Sequence, residues 1–203
     1  MSVRTILFDI GGVLEITSKT GWEAQWEDQL DLEPGKLNHR LMQVWREGSS
    51  GHMSEEDVER NIAEILGLDD EQLTAFMSDL WDEYMGELNV ELAEYFASLR
   101  PQYQTAILSN SFAGARRKEH ERYGFGDLCD LIIYSHEEGI KKPDRAIFAL
   151  ACKRLGVLPS EVVFLDDAPP IIEAACEFGM HGILFTETSQ AIADIEARLK
   201  ADG

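Results

Sequence analysis

The chain has 203 residues, 44% of them hydrophobic, with 38 acidic against 18 basic side chains, a formal charge of −20 and a pI of about 4.5. That length accommodates one well-buried core with an accessory subdomain rather than two ordinary domains. A surface this acidic repels phosphate backbones and anionic membranes, so nucleic acid and membranes are not expected partners; a small anion needs only a local positive site, which a bound metal supplies.

Val3 to Phe8 is a short apolar run with branched and aromatic residues, which predicts a buried strand ending at Asp9. Gly11 and Gly12 break it, and the next run of that kind, Thr105 to Leu108, comes about a hundred residues later. Residues 15–88 read as helical. Val58, Ile62, Ile65 and Leu66 make one apolar face, with Ser54 as its cap and Asp57 at the capping-box position. Leu73, Phe76, Met77, Leu80, Trp81 and Tyr84 make another stripe, read as core packing.

After residue 88 helices and strands alternate. Helices are expected over Val90–Leu99, Gly114–Tyr123, Asp144–Leu155, Ile171–Phe178 and Ser189–Lys200. Strands are expected over Thr105–Leu108, Leu131–Tyr134, Val162–Leu165 and Gly182–Phe185. Pro101 follows the first of these helices, and Gly124, Gly156 and Gly179 close the next three, as helix stops do. Repeated βα units imply a parallel sheet covered on both faces. The expected fold class is α/β: a Rossmann-like doubly wound parallel sheet core (1–14 and 89–203) with an α-helical cap (15–88) inserted after the first strand. No stretch approaches the ~20 apolar residues of a membrane span, and the N-terminal run is too short for a signal peptide. Cys129, Cys152 and Cys176 are scattered, with no CxxC, and read as reduced, packed thiols of a cytoplasmic protein.

In doubly wound sheets ligands bind beyond the carboxyl ends of the strands. Taken in order, those ends carry Asp9, then Ser109, Asn110 and Ser111, then Lys141 and Lys142, then Asp166 and Asp167. A carboxylate can attack phosphorus, oxygen ligands suit Mg²⁺, and a lysine and a hydroxyl can meet transferred oxygens.

Phe8-Asp-Ile-Gly-Gly-Val-Leu14, Ile107-Leu-Ser-Asn110, Gly139-Ile-Lys-Lys-Pro-Asp144 and Val163-Phe-Leu-Asp-Asp167 resemble the four ordered motifs of the haloacid-dehalogenase-like hydrolases. The helical insertion resembles the subfamily with an α-helical cap, and the Asp-x-Gly start is similar to members of the sugar-1-phosphatase type. The resemblance implies an enzyme, a Mg²⁺-dependent phosphatase of a small phosphorylated metabolite. It implies Asp9 as nucleophile and metal ligand. The Gly11 carbonyl and Asp167 would be further metal ligands, with Asp166 beside them. Ser109, supported by Asn110, would bind phosphoryl oxygens, and Lys142 would be the motif lysine, Lys141 being its neighbouring candidate.

Two positions depart from that pattern. Gly11 stands where family phosphatases usually carry an acid/base Asp, whose loss typically costs ~10²–10⁴ in rate. Acyl, aryl or anomeric sugar phosphates, with good leaving groups, are therefore the expected substrates. Ile171 stands where a polar partner of the metal site is common. Two alternatives follow: a metal-independent 2-haloacid dehalogenase, against which the acid pair argues, and a catalytically weak binding protein on the same scaffold. Glu15 reads as a surface carboxylate at the cap junction, and Arg117 as a solvated charge able to help hold an anion. No oligomeric state is assigned.

Overall fold

The computed structural model describes residues 2–17 and 19–201. Strand β1 (Thr5–Phe8) is buried throughout and leads through a glycine turn to β2 (Glu15–Ile16). Four helices follow: α1 (Trp22–Gln29), α2 (Lys36–Ser49), α3 (Glu55–Leu66) and α4 (Asp70–Met85). Strand β3 (Glu87–Leu88) then pairs antiparallel with β2. This two-stranded ribbon carries the chain into and out of the four helices.

The remainder alternates: α5 (Val90–Ser98), β4 (Gln104–Ser109), α6 (Ala115–Tyr123), α7 (Phe125–Leu128), β5 (Leu131–Tyr134), α8 (Ser135–Glu138), α9 (Arg145–Leu155), β6 (Val162–Asp166), α10 (Pro169–Phe178), β7 (His181–Leu184) and α11 (Thr188–Lys200). The five long strands form a parallel sheet of order β5-β4-β1-β6-β7. The chain builds outward from β1 to one side, then returns to build the other, so the topological switch lies at β1.

Local chemistry explains the boundaries. Ser54 caps α3 by accepting from the Asp57 amide at 3.1 Å. The reciprocal arm is absent because the Ser54 hydroxyl donates to the Asp57 carboxylate instead. A full capping box stands one helix later, where Asp69 and Gln72 exchange bonds at the start of α4. Helix α10 begins at Pro169, two residues before expectation, because a proline is favoured in the first turn, where no amide is needed.

Val58, Ile62 and Leu66 are buried as expected, while Ile65 is 39% exposed. Of the α4 stripe, Phe76, Met77, Leu80 and Trp81 are buried. Leu80 and Tyr84 also line a cavity, described below, so pure core packing is not their whole role. Cys129 and Cys152 are buried free thiols, but Cys176 is exposed. None of the described helices is long and apolar enough to cross a membrane.

Candidate active site

Phe8 pairs with both Ile107 of β4 and Leu165 of β6, so the three strands release their chains at one level. The Asp9 amide donates to Leu165 O at 2.9 Å, which fixes Asp9 just past that level, and its Oδ1 accepts from the Ile10 amide at 2.8 Å. Lys142 reaches in from the loop between α8 and α9 and is only 2% exposed. Its Nζ lies 2.7 Å from Asp9 Oδ1 and 2.7 Å from Asp166 Oδ2. Asp167 completes the group: one oxygen from each of Asp9, Asp166 and Asp167 lies within 4.8 Å of the others.

Gly12 makes that approach possible. Its φ is +74°, and a Cβ there would lie 2.1 Å from Asp167 Oδ2. Only glycine satisfies both conditions. Gly11 is different, for a Cβ at that position would meet nothing within 4 Å.

Charge in this cluster is out of balance. Burial pushes the Asp9 carboxyl up to about 7; the Lys142 ammonium pulls it down and Asp166 pushes it further up. Burial and Asp166 also raise Asp167. Three carboxylates facing one ammonium leave two negative charges uncompensated, and a divalent cation with oxygen ligands fits both that deficit and this donor set.

The remaining sequence candidates sort by what their atoms touch. Ser109 is buried beside Asp9's strand, and its hydroxyl makes only a long 3.3 Å contact to Asn110 O. Asn110 braces the lysine loop. Its Nδ2 donates to Lys142 O at 3.0 Å and its Oδ1 accepts from the Lys142 amide at 2.8 Å, so both ends of the amide hold the lysine's backbone. Lys141 is exposed at the cavity wall. Arg117 is committed to Glu55 and Glu121, and it ties α6 to α3 rather than waiting for an anion. Ile171 packs with the apolar residues between α9, α10 and the sheet, where a polar side chain would lack partners.

Beside this cluster a cavity of about 570 Å³ opens between inserted helices α1, α2 and α4 and the carboxyl ends of the strands. Gly11, Ser109 and Lys141 line it from the sheet, and Trp22, Trp45 and Tyr84 from the helices. Two acids on its wall escaped the sequence reading. Glu15, expected at the surface, is 1% exposed because it follows buried Val13 and Leu14 into the ribbon. Glu119 is 0% exposed, although its neighbours 116–118 and 120–122 look like a solvated charged run. The available signal was its spacing of four from Ala115, which puts the two on one inward face of α6. Burial, aided by Glu119, raises Glu15 to about 9, and burial raises Glu119 to about 7.

Residues 3–179 match the family model of the haloacid dehalogenase-like hydrolases. The chain is 30% identical over 213 residues to acyl-CoA dehydrogenase family member 10 of Mus musculus, which covers 98% of this chain and 19% of that protein. It is 25% identical over 185 residues to the D-ribitol-5-phosphate phosphatase of Bacteroides thetaiotaomicron, with 87% and 89% covered. A solved HAD family enzyme of the same bacterium superposes with a TM-score of 0.81 at 19% identity, covering 97% and 99% of the two chains. That enzyme in complex with magnesium and inorganic phosphate gives a TM-score of 0.72 at 19% identity, covering 91% and 95%.

Proposed function

The chain belongs to the haloacid dehalogenase-like hydrolases, and within them we propose that it is a Mg²⁺-dependent phosphatase of small phosphorylated metabolites such as sugar phosphates. The observation that carries this reading is the convergence of Asp9, Asp166 and Asp167 around a single ammonium. The phosphatase relative and the magnesium and phosphate held by the structural neighbour support it.

Asp9, Asp167 and the Gly11 carbonyl would hold the cation, with Asp166 held back by its bond to Lys142. Bound Mg²⁺ supplies positive charge that draws in a phosphoryl dianion and stabilises its oxygens as they gain charge. The chain's residues do the rest. Lys142 places a second positive charge beside Asp9, and Ser109 offers a hydroxyl donor whose present contact is weak. Asn110 keeps Lys142 in position through its backbone. An Asp9 carboxylate oxygen attacks phosphorus, the ester P–O bond breaks, and the organic group leaves with the electron pair. Water then attacks the aspartyl phosphate, restoring Asp9 and releasing phosphate. The four inserted helices, as a cap, screen this chemistry from bulk water and shape the substrate site.

The acid pair weighs against the haloacid reading, since a metal-free attack on carbon gains nothing from two additional carboxylates beside the nucleophile. With Gly11 in place of an acid, the leaving group departs with little help from the protein. Anomeric sugar phosphates should therefore exceed alkyl phosphates as substrates. The test is phosphate release from glucose 1-phosphate and glucose 6-phosphate, with Mg²⁺ and with EDTA. Mg²⁺-dependent release favouring the 1-phosphate supports the reading; EDTA-resistant turnover sinks the cation, and a clear preference for the 6-phosphate sinks the leaving-group argument.

A further inference from the structure

Gly11 and Ser109 belong both to the reacting cluster and to the wall of the cavity beside it, so the organic part of a monoester held at Asp9 has that cavity to enter. Its volume of about 570 Å³ is several times the ~150 Å³ of an apolar cavity that admits benzene. A ring system therefore fits there in addition to the phosphoryl group.

Two aromatic side chains of the inserted helices, Trp45 of α2 and Tyr84 of α4, line this space and are only half-buried. Each is backed by a buried ring: Trp45 meets Phe112 at 5.7 Å and 66°, and Tyr84 meets Trp81 at 5.0 Å and 71°. The Trp45 indole N–H also donates to Asn38 Oδ1 at 3.0 Å. Both rings are thus held in place before any ligand arrives, and a ligand that stacks on them has little to reorder. The polar side chains around the pair are largely spent on one another. Asn38 Nδ2 donates to Glu23 Oε1 at 2.7 Å, and Glu83 Oε2 accepts from the Thr20 amide and hydroxyl at 2.7 Å each. The Ser111 hydroxyl lies 2.7 Å from His136 Nδ1. A polyol that leaves water needs partners for its hydroxyls, and this wall offers ring surface more readily than open donors and acceptors.

We propose that Trp45 and Tyr84 are the specificity residues for the leaving group, and that the group they take is a flat aromatic ring, which makes aryl phosphomonoesters the substrate class. The inference rests on the phosphatase reading and narrows it. Gly11 points the same way from the chemistry rather than the shape. With no acid at that position, the P–O bond breaks with its electron pair passing to the leaving oxygen unaided. An aryloxide accepts that pair far more readily than an alkoxide and takes its proton from water afterwards, while the Asp9–phosphorus bond forms on the other side. Trp45 and Tyr84 touch the ring and take no part in these bond changes.

The experiment measures kcat and KM with Mg²⁺ for phenyl, 2-naphthyl, glucose 1- and acetyl phosphates. Phenol and 2-naphthol are nearly equal in acidity, so the first two differ in ring area; acetyl phosphate has a good leaving group and no ring. The 2-naphthyl ester should exceed the phenyl ester in kcat/KM by about fivefold or more, through KM, as one further buried ring provides. Both should exceed glucose 1-phosphate by about tenfold or more, and the KM of acetyl phosphate should lie about tenfold or more above that of the 2-naphthyl ester. In Trp45→Leu, shown to be folded by thermal unfolding, the ratio of 2-naphthyl to phenyl should fall to about twofold or less. Equal kcat/KM for the two aryl esters in the unaltered protein overturns the inference, and that comparison decides even where the variant does not fold. A folded Trp45→Leu that keeps the full ratio overturns it too, as does Mg²⁺-dependent hydrolysis of glucose 1-phosphate or acetyl phosphate with none of either aryl ester. Absence of Mg²⁺-dependent hydrolysis of every compound overturns the phosphatase reading and the inference with it.

Discussion

Gly11→Asp should add a general acid to a site that lacks one at that position. The substitution is sterically open, since a Cβ on Gly11 meets no atom within 4 Å. Its backbone also lies outside the left-handed region that marks eleven other glycines, so a side chain brings no backbone strain. Stability should change by no more than about 1 kcal/mol, because replacing such a glycine also restricts the unfolded chain. The gain in rate is that of a positioned proton donor, ~10²–10⁴, or about 3–5 kcal/mol off the barrier. It should appear only where the leaving group needs a proton. For glucose 6-phosphate, kcat/KM should therefore rise by about 10² or more, while p-nitrophenyl phosphate changes by less than about tenfold. The assay is initial-rate phosphate release for both substrates on the two proteins, with thermal unfolding to show that the variant is folded. A folded variant whose selectivity between the two compounds is unchanged would refute the reasoning. Gly12→Ala is the contrast: its Cβ would strike Asp167 Oδ2 at 2.1 Å, so that variant should lose both activity and stability.

Lys142→Met leaves the Asp9 and Asp166 carboxylates buried without their ammonium. The expected cost is about 3–5 kcal/mol, seen as a fall in Tm of roughly 6–20 °C that Mg²⁺ partly reverses; a shift of less than about 2 °C contradicts it. Asn110→Ala frees the Lys142 backbone, so kcat should fall by about tenfold or more with KM little changed. A rise in KM alone would instead make Asn110 a phosphate contact. Without metal, stability should fall as pH rises from 6 to 8. Glu15 holds its proton in the folded state up to about 9, whereas the unfolded chain releases it near 4.5, so stability falls steadily as pH rises between the two. The same slope in Glu15→Gln, followed by chemical denaturation, would remove Glu15 as the cause.

The sheet was legible because its strands are apolar runs ending in glycine or polar residues, and βα alternation admits few topologies. Asp9 and the acid pair were legible because each sits at or just beyond a strand end, a place that sequence order alone identifies, and Lys142, in the loop between α8 and α9, was legible from the Lys-Lys-Pro-Asp motif around it. That Asn110 braces Lys142 was not legible, since a side-chain amide suits many partners and only the distances to Lys142 N and O single out this one. Glu15 was misread, and Glu119 passed over, for the opposite reason. A glutamate's type argues for solvent, and burial of either one depends on helices packing from distant parts of the chain. The cavity is likewise made by residues as far apart in sequence as Trp22, Tyr84 and Ser135.

The central claim is that Asp9 takes the phosphoryl group. Its most direct test is an acid-quenched single turnover with ³²P-labelled substrate and Mg²⁺, followed by peptide mapping. The account predicts an alkali-labile phosphate on the peptide that carries Asp9, with label and steady-state turnover both lost in Asp9→Asn. Turnover that survives in Asp9→Asn, or label found on another residue, would contradict it.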